Sequence, residues 1–330
     1  MVRSVEEREV RREEGSAREP GKGREAERPS QIPARGWRDV LRRVWQQSTR
    51  DNIDLVAAGV AFYLLLSLPP ALAALISIYG LVTDPARAIA QLEELSRVIP
   101  EGAQGIVGDQ LQQLAQRPGR ALGFGFAVSL GIALWSTMRA TKALMTACNL
   151  AHEEPEQRGF LRFNAVALAL TLGLLLFLSL SIVLVAVAPA VLNLVGLGGA
   201  LRVTIDVLRW PVLALLVLLS LAILYRHGPN RRSPKWRWVT WGSAVATGLW
   251  LVLSAGFSFY VSNFGGYDEM YGSLGAVVVL LVWLYLTAYV IVLGAELNAE
   301  LEHQTARDTT RGPDRPMGAR DAYVADTVGK

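Results

Sequence analysis

Residues 274–295 read LGAVVVLLVWLYLTAYVIVLGA, and Glu296 follows at once. No charged side chain interrupts the run. A helix rises ~1.5 Å per residue, so a stretch of this length spans the ~30 Å of hydrocarbon in a bilayer. Inside hydrocarbon a segment must satisfy its own backbone N–H and C=O groups, which a helix does. Comparable runs lie near 55–82, 121–140, 164–188, 207–225 and 239–263. The sequence therefore predicts an all-α integral membrane domain over residues 35–302, with six transmembrane helices.

The charges are placed accordingly. Of 33 Lys and Arg, 13 fall in residues 1–54 and 5 in 296–330, which leaves 15 for the 241 residues between. The middle is too apolar for an ordinary wetted surface. The net charge of +4 belongs to basic residues beside apolar runs. That placement suits anionic lipid better than nucleic acid, and no nucleic-acid partner is expected. Cys148 is the only cysteine, so no internal disulfide forms, and the thiol reads as packing. No cleavable signal is apparent at the charged N-terminus, which leaves the first spanning helix to target the chain.

Orientation follows from the positive-inside rule. Residues 35–54, 226–238 and 296–330 hold five Lys or Arg each and 139–162 hold four, whereas the alternate connections 83–120, 189–209 and 264–273 hold four, two and none. Both termini are expected in the cytoplasm, with the chain crossing the membrane several times.

The ends read differently. Residues 1–34 interleave Arg and Glu with Gly and Pro, and 303–330 scatter charges around Gly312, Pro313, Pro316 and Gly318; both compositions predict disordered tails. At 37–48, Trp37, Val40, Leu41, Val44 and Trp45 recur at helical spacing beside Arg38, Arg42 and Arg43. This is a basic amphipathic helix, expected in the headgroup layer, with packing on the protein's own cytoplasmic side as the other reading. The 83–120 connection carries apolar residues at helical spacing and predicts two short extracytoplasmic amphipathic helices.

Three blocks carry a resemblance: AAGVAFYLLLSLPPALAALIS at 57–77, LWSTMRATKALMTACNLAHEEPEQRGFLRF at 134–163, and residues 225–301, which open YRHGPNRRSPKWRWVTWGS. Over roughly 37–302 the chain resembles the YihY/BrkB family of bacterial inner-membrane proteins, some of which are labelled ribonuclease BN. Pro69, Gly228 and Asp268 depart mildly from the family's usual Phe, Ala and Asn. The resemblance implies a six-helix inner-membrane protein and names no reaction.

Catalytic chemistry would need converging ionisable groups. His152, His227 and His303 are far apart, no HExxH or CxxC occurs, and His152-Glu153-Glu154 reads as a solvated loop. No catalytic residue, metal ligand or cofactor is expected. Polar groups do gather at the membrane boundary. Arg139 and Lys142 share a helical face, Asn149 lies about two turns further on, and Arg226, Asn230, Arg231 and Arg232 sit at another cytoplasmic end. These seven are candidate headgroup ligands, because guanidinium and ammonium groups meet phosphate there; positive-inside anchoring is the plainer account of the same charges.

Ser243, Thr247, Ser254, Ser258, Ser262 and Asn263 form a polar stripe on the fifth span, and Pro69 and Pro70 predict a kink near Ser67 by removing donors to Leu65 and Leu66. Ser67, Pro69, Pro70, Ser254, Ser258, Ser262 and Asn263 are candidate pathway-lining residues. Small-residue packing, with Gly242 and Ala246, is the plainer reading of the stripe. The span centres hold no Asp, Glu or Lys, which disfavours a coupled ion pump. The expected function is binding or transport of an amphiphile with an anionic headgroup. A membrane scaffold working through its tails is the alternative, and a membrane ribonuclease is disfavoured. Membrane lipids are the expected partners, and a homo-oligomer stays open.

Overall fold

The computed structural model describes residues 19, 21–82, 124–184, 200–264 and 274–329. The predicted 83–120 helices lie outside these. Seven helices of 17–30 residues make the fold: α1 (Ala34–Arg50), α2 (Ile53–Val82), α3 (Phe124–Ala151), α4 (Phe160–Ile182), α5 (Ala200–His227), α6 (Trp236–Phe264) and α7 (Gly275–His303). A short turn, α8 (Tyr323–Asp326), follows. Each expected span has its helix. By length and apolarity alone five of them, α2, α4, α5, α6 and α7, can cross a membrane. The α3 helix is as long but is not among them; it carries Arg139 and Lys142.

α7 is the central helix, packed against α1, α2, α3 and α6, while α2 also pairs with α3, and α5 with both α4 and α6. The core uses small side chains. Ala57, Ala147, Ala151, Ala246, Ala288 and Ala295 are buried, and they let the helix backbones approach closely. The α6–α7 crossing is tight, since a methyl on Gly242 would collide with Asn298 and the Gly294 carbonyl. The Gly242 N–H donates to Asn298 Oδ1 at 2.9 Å. Outside, the bundle stays apolar: Val252 is 70% exposed, Phe259 63% and Trp210 61%. So many exposed large apolar side chains are what a lipid-facing surface presents.

α2 is one continuous helix through Pro69 and Pro70. Two expectations are corrected. α1 buries Gly36, Val40, Val44 and Ser48, with Val40 and Val44 packed among Trp238, Leu297 and Leu301. It is thus docked on the protein, and it turns outward Leu41, 57% exposed, and Trp45, 75% exposed. An amphipathic period reports which face is apolar, not whether lipid or protein covers it.

The second correction concerns the tails, because residues 21–33 and 304–329 are folded, and onto each other. The Arg24 guanidinium donates to the carbonyls of Gln304 (3.2 Å) and Gly329 (2.7 Å), Gln304 Nε2 donates to the Lys22 carbonyl (2.8 Å), and the Ala306 N–H to that of Arg24 (2.8 Å). Thr305 Oγ1 donates to the Ala26 carbonyl at 2.7 Å. Further along, the tail pairs with the α5–α6 connection, Lys235 N–H to the Thr309 carbonyl (2.8 Å) and Arg311 N–H to that of Ser233 (2.9 Å). Order here comes from paired backbone groups and buried hydroxyls together with a few well-placed apolar side chains, Ala26 and Ile32 against α1 and Val324 and Val328 in the C-terminal tail, so composition alone misses it.

Candidate functional site

Asn149, Asn230, Arg231 and Arg232 lie at the end of the bundle where the described parts of both tails meet, while Arg139 and Lys142 sit about two to three turns back along α3. α3 ends at Ala151 and turns through His152, and the following loop is clipped to the α5–α6 connection. Asn230 donates its backbone N–H to Asn149 Oδ1 (2.7 Å) and its Nδ2 to the Pro155 carbonyl (2.9 Å). Asn149 Nδ2 donates to Glu156 Oε2 at 2.9 Å, and Arg158 Nη2 to the Gly228 carbonyl at 2.8 Å. Asn149 and Asn230 are therefore brought together, but as a cross-link between two loops. Burial pushes Glu156 up, yet the bonds from Arg158 and Asn149 outweigh it and hold the carboxyl below its usual range.

Arg231 is likewise turned inward. Its Nη2 reaches both Glu302 oxygens, at 2.7 and 2.6 Å, with both side chains fully buried. Thr309 of the tail donates a third bond to Glu302 at 2.6 Å. Beside this pair His152 is buried, its Nδ1 2.9 Å from the Cys148 carbonyl. Burial first, then the Arg231 charge, pushes its pKa down to about 3, so the ring is neutral and its Nδ1–H donates. Arg232 donates its backbone N–H to the Asp321 carbonyl at 2.9 Å and holds its Nη2 3.5 Å from that of Pro313.

The remaining candidate cations differ in exposure. Arg139 is exposed, and Lys142 places its Nζ 4.6 Å from the centroid of the half-exposed Trp135 ring and 6.0 Å from that of Phe163. Neither has an ion pair among the described residues. Arg226 is 7% exposed, with its guanidinium 4.2 Å over the Trp236 ring.

The candidate pathway residues fall into separate settings. Ser67 is buried and donates to the Ser136 carbonyl of α3 at 3.4 Å. Pro69 and Pro70 are half-buried in α2. Ser254 accepts from Trp283 Nε1 at 3.4 Å between α6 and α7, while Ser262 and Asn263 turn back to the Phe259 carbonyl on an exposed face shared with Ser258. Ser243 and Thr247, both buried, bond back to their own helix at Val239 and Ser243. Small-residue packing accounts for this half of the stripe.

The family described as virulence factor BrkB matches residues 44–318. This chain belongs to the BrkB family. It is 29% identical over 266 residues to YfkH of Bacillus subtilis, whose name describes it as ribonuclease-like, covering 79% of this chain and 94% of that protein. It is 25% identical over 290 residues to the UPF0761 membrane protein Nmul_A0452 of Nitrosospira multiformis, covering 83% of this chain and 63% of the relative. A shorter match, 36% over 98 residues, is to a UPF0761 membrane protein of Tolumonas auensis, of which it spans about a third (32%). No solved structure matches. The BrkB match reaches past α7 into the tail, which agrees with a tail folded as part of the domain.

Sequence reasoning missed the partners more than the cations. Glu302, Thr309, Glu156 and Trp236 decide which arginine is free, and none was singled out. A signal was present in ELNAELEH at 296–303, where three acids follow an uncharged span at the end richest in arginine. Among the described residues no group of three His, Cys, Asp or Glu could hold a metal ion.

Proposed function

We propose that this BrkB-family membrane protein is a six-span protein of the bacterial inner membrane, with both termini in the cytoplasm, that binds and moves an amphiphile bearing an anionic headgroup. Five helices qualify as spans by composition and α3 does not. The bonds from Arg24 to the carbonyls of Gln304 and Gly329 join described residues that precede the first long helix and follow the last, which supports an even number of crossings and hence α3 as a span. The connections after α3 and after α5 are joined to each other and to the C-terminal tail at that same end, the side the positive-inside rule assigns to the cytoplasm.

The observation that carries the ligand reading is the Trp135–Arg139–Lys142 face of α3. An aromatic ring with two cations that have no carboxylate partner among the described residues, at the boundary of an apolar bundle, suits a lipid phosphate with its glycerol against the ring. A basic residue near a membrane surface contributes about 1 kcal/mol of attraction to anionic lipid, so removing both weakens binding by roughly 30-fold. The test is Arg139→Gln with Lys142→Gln in reconstituted vesicles containing phosphatidylglycerol. Unchanged lipid binding and transbilayer movement would remove the proposal. The tail-scaffold alternative gains nothing from residues 21–33 and 304–329, which are folded onto their own domain.

A further inference from the structure

The two arginines at 226 and 231 have opposite fates. Arg231 is discharged by Glu302 inside the fold. Arg226 is also buried, yet it has no hydrogen bond or ion pair among the described residues, and its Nη1, shielded from water, lacks a partner. What surrounds it is more positive charge. The C-terminal tail, held by the Arg311 N–H on the Ser233 carbonyl and by the antiparallel bridge of Thr310 to Pro234, brings Arg311 near enough for its charge to act on both Arg226 and His227. No carboxylate is among the groups acting on either. The rim is Trp236, 49% exposed, stacked under the Arg226 guanidinium and met edge-on by His227 with ring centroids 6.5 Å apart.

A buried guanidinium is ordinarily paired, because removing its water without supplying an anion is unfavourable. A cation–π contact compensates part of that loss and leaves the net charge in place. An anion with several acceptor oxygens does both, and the guanidinium fork matches phosphate geometry.

We infer that Arg226, Arg311 and His227, beside the ring of Trp236, form a binding site for a phosphate group at the junction of α5, α6 and the C-terminal tail. The inference rests on the anionic-headgroup reading above and names a second place and a chemical class for it. The tail then contributes a ligand as well as a fold. The phosphate is either a lipid headgroup, with Trp236 against its glycerol, or a soluble phosphate from the aqueous side.

Calorimetric titration of the full chain in zwitterionic micelles, with inorganic phosphate and with dihexanoylphosphatidic acid, separates the sources. Binding of either probe that weakens at least tenfold in Arg226→Gln and in Arg311→Gln, but not in Arg237→Gln, supports the site. Binding of the lipid alone identifies a headgroup, and of phosphate alone a soluble ion. Arg311 is an exposed tail side chain, so R311Q keeps the test decisive if R226Q does not fold. Wild-type affinity in R226Q or R311Q, or no binding of either probe to the wild-type chain, overturns it. If the Arg139→Gln, Lys142→Gln protein loses lipid movement while R226Q and R311Q bind normally, the functional reading stands and this site falls.

Discussion

Replacing Glu302 by Gln tests whether the buried pair holds the tail end of the bundle together. Arg231 and Glu302 are both fully buried and meet through two contacts of 2.7 and 2.6 Å, and Thr309 ties the same carboxylate to the tail. At an effective dielectric constant of ~20, unit charges ~2.7 Å apart attract by about 6 kcal/mol, most of which offsets the loss of hydration. Glu302→Gln leaves the guanidinium buried without its counter-charge, and Arg231 Nε and Nη1 already lack partners. Breaking a buried pair from one side costs about 3–5 kcal/mol. At about 2–4 °C per kcal/mol the unfolding midpoint in detergent falls by roughly 6–20 °C. Arg231→Met with Glu302→Leu removes both charges and restores most of the loss, because no lone ion remains. Thermal unfolding followed by tryptophan fluorescence measures all three proteins, and limited proteolysis reports release of the tail. A loss below about 1 kcal/mol in E302Q, or a double variant no more stable than the single, would refute the reasoning.

Two further outcomes follow from buried groups. His152 titrates near 3 in the folded chain and, as an ordinary histidine, near 6.5 once unfolded. Between those values the unfolded chain binds the extra proton, so this contribution to stability is whole above pH ~6.5 and falls by about 2 kcal/mol as the pH drops to 5. Midpoints measured from pH 7 to 5 should be flatter for His152→Phe, and parallel slopes would count against a buried neutral ring. Gly242→Ala forces a methyl into Asn298 and the Gly294 carbonyl and destabilises the α6–α7 crossing by about 1–3 kcal/mol. Gly248→Ala on the same helix meets open space and holds the wild-type midpoint; equal midpoints for the two variants would show that the crossing is not tight.

The helices were legible because hydrocarbon imposes one local rule, an uncharged run long enough to cross it. Their ends were not. α3 continues eleven residues beyond the expected 140, to Ala151, and α7 eight beyond 295, to His303, since burial against neighbouring helices replaces lipid as the apolar surrounding. The boundary arginines were legible as residue types and illegible as roles. Arg231 and Arg226 read alike in sequence, and what separates them is Glu302, 71 positions from Arg231. Asn149 and Asn230, 81 residues apart, became a cross-link by the same kind of distant pairing. Composition averages over such pairs, so the folded residues 21–33 and 304–329 looked like solvated chain.

The clasp between Arg24 and Gly329 joins positions 305 residues apart. During synthesis the N-terminal strand of that clasp leaves the ribosome first and has nothing to grip until the last long helix and the residues after it have emerged. Loop closure over such a separation comes late and slowly. Assembly therefore finishes with the latching of the two ends, and a nascent chain interrupted after α7 would carry an open, arginine-lined inner face that a protease could recognise as incomplete.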